Sequence, residues 1–198
     1  MDKIQVRVLS MLTINASKDN FLIILSDLDE KEKFGITTGK HEVAHIAAYL
    51  FGKRLPTPSL YEVFADFLKQ QEYKVKEVYI SELNDDIYKA KMLYSRKDCT
   101  ETESLDIKAT DGIALAILTD APLYATKEVM YKGGEMTKNL IDSTPSMTNK
   151  QLIPIDSDEL KIAFMNKDLQ EAIQNEDYEK ANQIKKRIEE EKKKKSGK

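Results

Sequence analysis

Two aspartates, Asp106 and Asp111, stand at either end of a short link between a predicted strand and a predicted helix. The helix contains the run GIALAIL and is apolar on nearly every side, and a helix of that kind must be buried. A carboxylate in its first turn is therefore held in a fixed place. Fixed carboxylates can hold a divalent cation, which activates a water and neutralises a phosphate. The simpler alternative is that Asp111 only stabilises the helix N-terminus.

A second motif lies earlier in the chain. His41 and His45 form the sequence HEVAH with Glu42. On a helix this spacing places both imidazoles on one face, where they can bind zinc while the glutamate activates a water. Glu62, on the next predicted helix, would be the third ligand. Short motifs of this kind also arise by chance, and a buried neutral histidine with one hydrogen bond is ordinary. A zinc hydrolase is therefore only the third hypothesis.

Strands and helices are interspersed along the first part of the chain. Asn84-Asp85-Asp86 is a hairpin turn between two alternating segments, which predicts antiparallel neighbours. Thr110 is expected to cap the apolar helix, and the second helix is expected to bury Val63, Phe64, Phe67 and Leu68. The pattern predicts an α+β fold, a compact mixed or antiparallel sheet with packed helices. The predicted strands are 3–14, 21–28, 34–37, 74–83, 87–94, 105–109 and 122–124, and the predicted helices are 40–51, 60–71, 111–119 and a last turn ending near residue 132.

The segment 105–130 resembles a signature of the bifunctional nuclease family of bacteria and plants. In that signature Asp-Ala-Arg-Pro-Ser-Asp-Ala-Leu-Ala-Leu-Ala precedes a short strand with proline and a Glu-Val end, and the chain has LDIKATDGIALAILTDAPLYATKEVM. The resemblance extends over Lys3 to Met130, where Glu42 fits the pattern Gly-x-x-Glu-Ala-x-Ala-Ile. It implies a bacterial-type α+β domain that acts on RNA and DNA and forms homo-oligomers. Hydrolysis of that kind would need a divalent cation, Mg²⁺ or Mn²⁺, held by carboxylates.

The same resemblance implies which residues form the site. Glu42 and Asp111 would be the metal ligands, and Lys108, in place of the family's Arg, would contact phosphate together with Arg54. The family's His is Tyr61 here, a poor general base because a tyrosine pKa is about 10. The leading hypothesis is a metal-dependent nuclease, and the alternative is a non-catalytic interaction protein with a degenerate nuclease-like domain. The implied catalytic residues are Glu42, Glu62, Asp106 and Asp111.

Composition limits the location and the mode of nucleic-acid binding. The net charge of −3 argues against a broad surface that coats nucleic acid, so any nucleic acid would be bound at a local site. The single cysteine, Cys99, cannot form an internal disulfide, which fits a reducing compartment. The first residues, MDKIQVRVLSML, lack the continuous apolar region of a signal peptide, and no apolar run approaches the roughly 20 residues that span a bilayer. We therefore expect a cytoplasmic protein without a membrane partner.

The C-terminal part has a different character. Residues 169–191, LQEAIQNEDYEKANQIKKRIEEE, resemble the UVR motif, a helical hairpin of nucleotide-excision-repair proteins and bacterial adaptors. So small a hairpin buries too little surface to be stable alone, so it needs a partner: another copy, a different UVR hairpin or its own main domain. The predicted division is a nuclease-like domain over 1–132, a flexible linker over 133–156, and the hairpin with its basic tail over 157–198. The predicted partner-binding residues are Leu169, Tyr178, Ala181, Ile184 and Ile188.

Overall fold

The structure, a computed structural model, describes residues 2–14, 20–53, 57–97, 99, 101–143, 169, 172 and 177–196. The chain divides into two compact units, Met1–Pro154 and Ile155–Lys198. The finer division into domain, linker and hairpin stays a prediction. The one difference is that the first residues of the predicted linker are helical, as described below.

The first unit is a seven-stranded sheet with helices packed on it. The strands are β1 (Lys3–Thr13), β2 (Asn20–Asp27), β3 (Lys33–Gly39), β4 (Tyr73–Asn84), β5 (Ile87–Arg96), β6 (Glu103–Lys108) and β7 (Leu123–Thr126), and the helices are α1 (Lys40–Leu50), α2 (Leu60–Gln70), α3 (Ala109–Thr119) and α4 (Lys127–Ser143). The sheet order is β3-β2-β1-β7-β4-β5-β6, and every neighbouring pair is antiparallel except β4 with β7. This mixture of mainly antiparallel strands and helices confirms the predicted α+β class.

Helix α3 lies at the centre of this unit. As its apolar sequence predicts, its residues from Ala109 to Ala116 are buried apart from Asp111, which is half-buried. At Gly112 a Cβ atom would lie 2.9 Å from Val78 Cγ1 and 3.0 Å from Ile107 Cδ1, so the helix backbone approaches the sheet closely. The helix begins at Ala109, with Lys108 as its N-cap, and not at Asp111 behind a Thr110 cap. Because Thr110 is already helical, its hydroxyl lies in the first turn, where it has no partner among the described residues.

Helix α4 is longer than the sequence predicts. It continues through Gly133 and ends at Ser143, so residues 133–143 of the predicted linker are helical. A Cβ at Gly133 would lie 3.0 Å from Phe34 Cβ, and Gly35 N donates to Thr137 Oγ1 at 2.7 Å. Small and hydroxylated residues are needed at this contact with β3. In residues 133–143 the small residues therefore serve close packing of a helix.

Helix α2 presents a different face to the core from the predicted one. Leu68 is buried and Phe64 half-buried, but Val63 and Phe67 are 53% and 52% exposed. Glu62 is buried instead of these two residues, because its side chain forms a capping box with Ser59 at the start of the helix. Together with Leu60, which is 80% exposed, Val63 and Phe67 form an outward apolar stripe, called the α2 stripe below.

The second unit contains a helix, α5 (Tyr178–Ser196). Asp177 precedes it, and the Asp177 backbone N–H donates to the Ala172 carbonyl at 2.9 Å. Among the predicted partner-binding residues described here, Ala181 and Ile188 are buried, Leu169 and Ile184 are half-buried, and Tyr178 is 64% exposed. In the part of the chain that the structure describes, no helix has the length and apolar character that crossing a membrane requires.

Candidate functional site

The first turns of α1, α2 and α3 meet at one place. Lys108 Nζ donates to Glu42 Oε1 at 2.8 Å, which joins the start of α3 to the first turn of α1. Tyr61 Oη donates to Asp111 Oδ1 at 2.8 Å, which joins the first turns of α2 and α3. These four residues, Glu42, Tyr61, Lys108 and Asp111, are called the helix-start site below. They are distant in sequence and are brought together because α1 and α2 both pack on α3.

The helix-start site holds Glu42 in its charged form. The hydrogen bond from Lys108 is the main reason why the pKa of Glu42 lies below its usual value. A bond from the Glu42 backbone N–H and the positive charges of Lys108 and His41 act in the same direction, while burial opposes them. Glu42 is therefore an ionised ligand or hydrogen-bond acceptor at neutral pH, not a proton donor. Its pairing with a lysine is also what a purely structural role would show.

Tyr61 is held in its protonated, neutral form. Burial is the largest cause that raises its pKa above the usual value, followed by the bond to Asp111 and by the negative charges of Asp111 and Glu42. Tyr61 is thus bonded directly to Asp111 and lies within the electrostatic influence of Glu42. A tyrosine in this state stays protonated and donates a hydrogen bond. It positions Asp111 and does not act as a base.

The three helix starts also contribute positive potential. A helix N-terminus carries about half an elementary charge and several N–H groups without partners inside the helix. The N-caps of α1 and α3 are Gly39 and Lys108, and neither makes a side-chain cap hydrogen bond, although in α1 the Glu42 carboxylate accepts one from its own N–H. Backbone N–H groups in such positions bind phosphate and other anions. The helix-start site therefore combines two carboxylates with donors suited to an anion.

Glu62 forms a cap at the start of α2. It is 2% exposed, and its Oε2 accepts a hydrogen bond from Ser59 N at 2.9 Å. Ser59 Oγ in turn accepts one from Glu62 N at 3.2 Å, which completes a capping box at the start of α2. The sequence carried this signal, since Ser59-Leu60-Tyr61-Glu62 has the Ser-x-x-Glu spacing of that motif. The geometry favours a structural role for Glu62.

If Glu62 is a cap, Glu62→Gln is expected to retain the stability of the domain, because glutamine also forms a capping box. Glu62→Ala should lower the free energy of unfolding by about 1–2 kcal/mol, since a cap is lost and Ser59 loses its acceptor. Urea unfolding followed by circular dichroism measures both variants. An equal loss of unfolding free energy in the two variants would contradict the capping role and show that the negative charge of Glu62 stabilises the domain.

Asp106 lies on the opposite face of the sheet from α3. In the pairing of β5 with β6, Ala90 stands opposite Ile107, and both side chains lie near Gly112 of α3. Lys91 stands opposite Asp106, and because side chains alternate along a strand, this pair points away from α3. Asp106 is 82% exposed and its Oδ1 is 2.9 Å from Lys91 Nζ. The structure therefore does not bring Asp106 together with Asp111.

The residues of the alternative zinc site are not placed as one ligand set among the described residues. The rings of His41 and His45 are 4.2 Å apart, and His45 Nδ1 lies 2.7 Å from the His41 carbonyl oxygen on the same helix. His45 is buried, as expected of a core histidine with one hydrogen bond. Among the described residues, no group of three or more His, Cys, Asp or Glu side chains is placed to hold a metal ion. His41, His45 and Glu62 are thus not brought together, because Glu62 is held by Ser59.

A magnesium or manganese ion requires fewer protein ligands. Mg²⁺ is commonly bound by one or two carboxylates, with water and substrate phosphates completing its shell. Lys108 bonds to Glu42 and Tyr61 bonds to Asp111, and these two bonds use one oxygen of each carboxylate. These residues fit a cation shared with a substrate phosphate, not one held in a cage of protein ligands. Arg54, the other predicted phosphate contact, lies outside the described residues.

Comparison with known proteins identifies the class of this domain. The family model described as "Bifunctional nuclease domain" matches residues 23–138, which is more than half of the chain. The chain therefore belongs to the bifunctional nuclease domain family, which confirms that part of the predicted resemblance. The matched region includes Glu42, Tyr61, Lys108 and Asp111.

Individual relatives are more distant. "Bifunctional nuclease 1" of Oryza sativa subsp. indica is 28% identical over 102 residues, which cover 51% of this chain and 30% of the rice protein. "Bifunctional nuclease" of Oryza minuta matches with the same figures. An uncharacterized protein of Mycobacterium tuberculosis is 22% identical over 130 residues, 66% of this chain and 76% of its own length. The chain thus spans less than a third of the rice relatives that it matches.

Proposed function

We propose that this protein hydrolyses phosphodiester bonds of RNA or DNA at the helix-start site. The observation that carries the proposal is the meeting of three helix N-termini at two carboxylates and a lysine. This arrangement occurs in a chain of the bifunctional nuclease domain family. Convergent donors of this kind suit a phosphate, and carboxylates beside them suit the cation that such hydrolysis uses.

Each residue of the site has a part in this proposal. Glu42 and Asp111 would hold the Mg²⁺ or Mn²⁺ ion, which when bound lowers the pKa of a water and neutralises charge on the phosphate. Lys108 and the N–H groups at the start of α3 bind phosphate oxygens and fix the scissile bond. Tyr61 donates to Asp111 and keeps that carboxylate in one orientation. Water is then the nucleophile, and the protein supplies position and charge.

Cleavage of labelled single-stranded RNA and DNA tests the proposal, with Mg²⁺ or Mn²⁺ and with EDTA. Wild-type protein is expected to cleave only when the metal is present, and Asp111→Asn to lose about 10²–10³-fold in rate, as for the loss of one electrostatic contact in an active site. The control is Asp120→Asn, an exposed aspartate at the other end of the same helix. Absence of cleavage, or equal cleavage by Asp111→Asn prepared in parallel, would reject the nuclease.

The second candidate function is a non-catalytic interaction protein. The α2 stripe favours it, because Leu60, Val63 and Phe67 expose apolar surface at helical spacing. This stripe is also the surface that we propose for the predicted homo-oligomer. The cleavage assay separates the two functions, since an interaction protein would show no metal-dependent hydrolysis.

We further propose that the second unit recruits a protein partner as a UVR-type hairpin. In support, α5 begins at Tyr178 of the matching segment, and the buried Ala172, Ala181 and Ile188 are apolar positions of the motif. Tyr178 remains exposed and available to a partner. A cytoplasmic location belongs to the same proposal and rests on the single cysteine of the chain.

A further inference from the structure

The Lys108–Glu42 ion pair occupies a carboxylate that a catalytic cation would need. Lys108 Nζ lies 2.8 Å from Glu42 Oε1. While this contact persists, one oxygen of Glu42 accepts a hydrogen bond from Lys108, and the Lys108 ammonium lies where a cation would have to bind. A dication must therefore compete with an ammonium group for Glu42, and the two repel each other.

The two partners differ in their freedom to move. The backbone of Lys108 is fixed, because it pairs with Lys89 of β5 and forms the N-cap of α3. Its side chain is 57% exposed and ends in an ammonium on a flexible four-carbon stem. The Glu42 side chain is only 23% exposed and lies in the first turn of α1, where it also accepts a hydrogen bond from its own N–H. Lys108 can leave the pair while Glu42 stays in place.

Phosphate is the chemical group that would draw Lys108 away. Ammonium groups bind phosphate oxygens by charge-assisted hydrogen bonds, and the open N-terminus of α3 next to Lys108 attracts the same anion. Movement of Lys108 to a phosphate leaves both Glu42 and Asp111 available to a cation. The bound phosphate also supplies oxygens that complete the shell of Mg²⁺ or Mn²⁺.

We propose that Lys108 is a latch on the metal site: it holds Glu42 until a nucleic-acid phosphate displaces it, so that cation and substrate bind cooperatively. This inference rests on the proposed nuclease function and adds its regulation. The protein alone binds the cation weakly, and the nucleic acid raises that affinity. By linkage, the cation raises the affinity for nucleic acid by the same factor.

Removal of the latch is expected to tighten cation binding by the free protein. Mn²⁺ is titrated into the full chain and the free ion is counted by electron paramagnetic resonance, without nucleic acid. Lys108→Met keeps the length of the side chain and removes the charge, and it should bind Mn²⁺ about tenfold more tightly than wild type, given the usual worth of such ion pairs and repulsions. Because any nearby ammonium group repels a dication, tighter binding by Lys108→Met supports the latch only together with the oligonucleotide titration below.

Lys91→Met is the matched control, because it makes the same charge change at the Lys91–Asp106 pair on the other face of the sheet. Its Mn²⁺ affinity should equal that of wild type. A second titration adds a phosphorothioate oligothymidylate of ten residues, which resists hydrolysis. Wild type should then gain affinity for Mn²⁺, and Lys108→Met should gain less.

The outcomes separate the latch from the function. One result would reject the latch alone: Lys108→Met binds Mn²⁺ no more tightly than wild type, the oligonucleotide still raises the Mn²⁺ affinity of wild type, and Asp111→Asn abolishes Mn²⁺ binding. The metal site would then be retained. If Asp111→Asn leaves Mn²⁺ binding unchanged with and without the oligonucleotide, both the latch and the proposed site are wrong. Melting curves confirm that each variant is folded.

Discussion

Replacement of Glu42 by glutamine is expected to lower the cleavage rate about 10³-fold, because it removes a negative charge that would hold the cation at the reacting phosphate. Asp106→Asn removes a charge elsewhere and should leave the rate within about twofold. The sequence resemblance predicts both residues as carboxylates of the site. Only Glu42 belongs to the helix-start site, since Asp106 is directed to the other face of the sheet, where it pairs with Lys91. The measurement is single-turnover cleavage of a labelled single-stranded RNA at saturating Mg²⁺.

Each of these two variants removes one negative charge from an ion pair with lysine, so the change in net charge is matched. Surface pairs of this kind contribute about 0–1 kcal/mol, and both variants should remain folded. An equal loss of activity in both would show that Asp106 reaches the reacting phosphate, for instance across an interface between two copies. Retention of activity by Glu42→Gln would place the chemistry away from the helix-start site.

The fold class could be predicted because local patterns determine it. Alternating residues mark the strands, and the Asn84-Asp85-Asp86 turn makes β4 and β5 a hairpin, both of which the structure confirms. The extent of α4 could not be predicted, because Gly133 and Thr137 indicate a linker by composition. Their small size is instead required by the contact with Phe34 and Gly35 on a strand about a hundred residues earlier in the chain.

The candidate site shows the same limit. Asp106 and Asp111 look like a pair because they are neighbours in sequence, but the register of β5 with β6 directs Asp106 to the other face of the sheet. The apolar spacing of α2 favours Val63 and Phe67 as core residues, yet the capping box draws Glu62 inward and turns those residues outward. The bond between Tyr61 and Asp111 spans 50 positions, and no local pattern indicates it.

Gly112 connects this packing to the site, since it follows Asp111 and lies against the sheet. Gly112→Val is expected to lower the free energy of unfolding by about 2 kcal/mol, because overpacking a tight core contact costs about 1–3 kcal/mol and outweighs the small gain in helix propensity over glycine. Its side chain would meet Val78 Cγ1 and Ile107 Cδ1, which already lie 2.9 and 3.0 Å from the first added carbon. The melting temperature should fall by about 4–8 °C for a domain of this size.

The same substitution should impair catalysis, because α3 can accept the added side chain only by moving away from the sheet and taking Asp111 with it. A displacement on the order of 1 Å at a positioned catalytic group costs about 10²-fold in rate. Ala44→Val is the control, since it places valine at an exposed position of α1 and leaves the core unchanged. Cleavage measured well below the melting temperature separates misplacement from unfolding. A Gly112→Val protein with lowered stability but full activity would show that the start of α3 keeps its place when its packing is disturbed, and that Asp111 is held by Tyr61 instead of by the sheet.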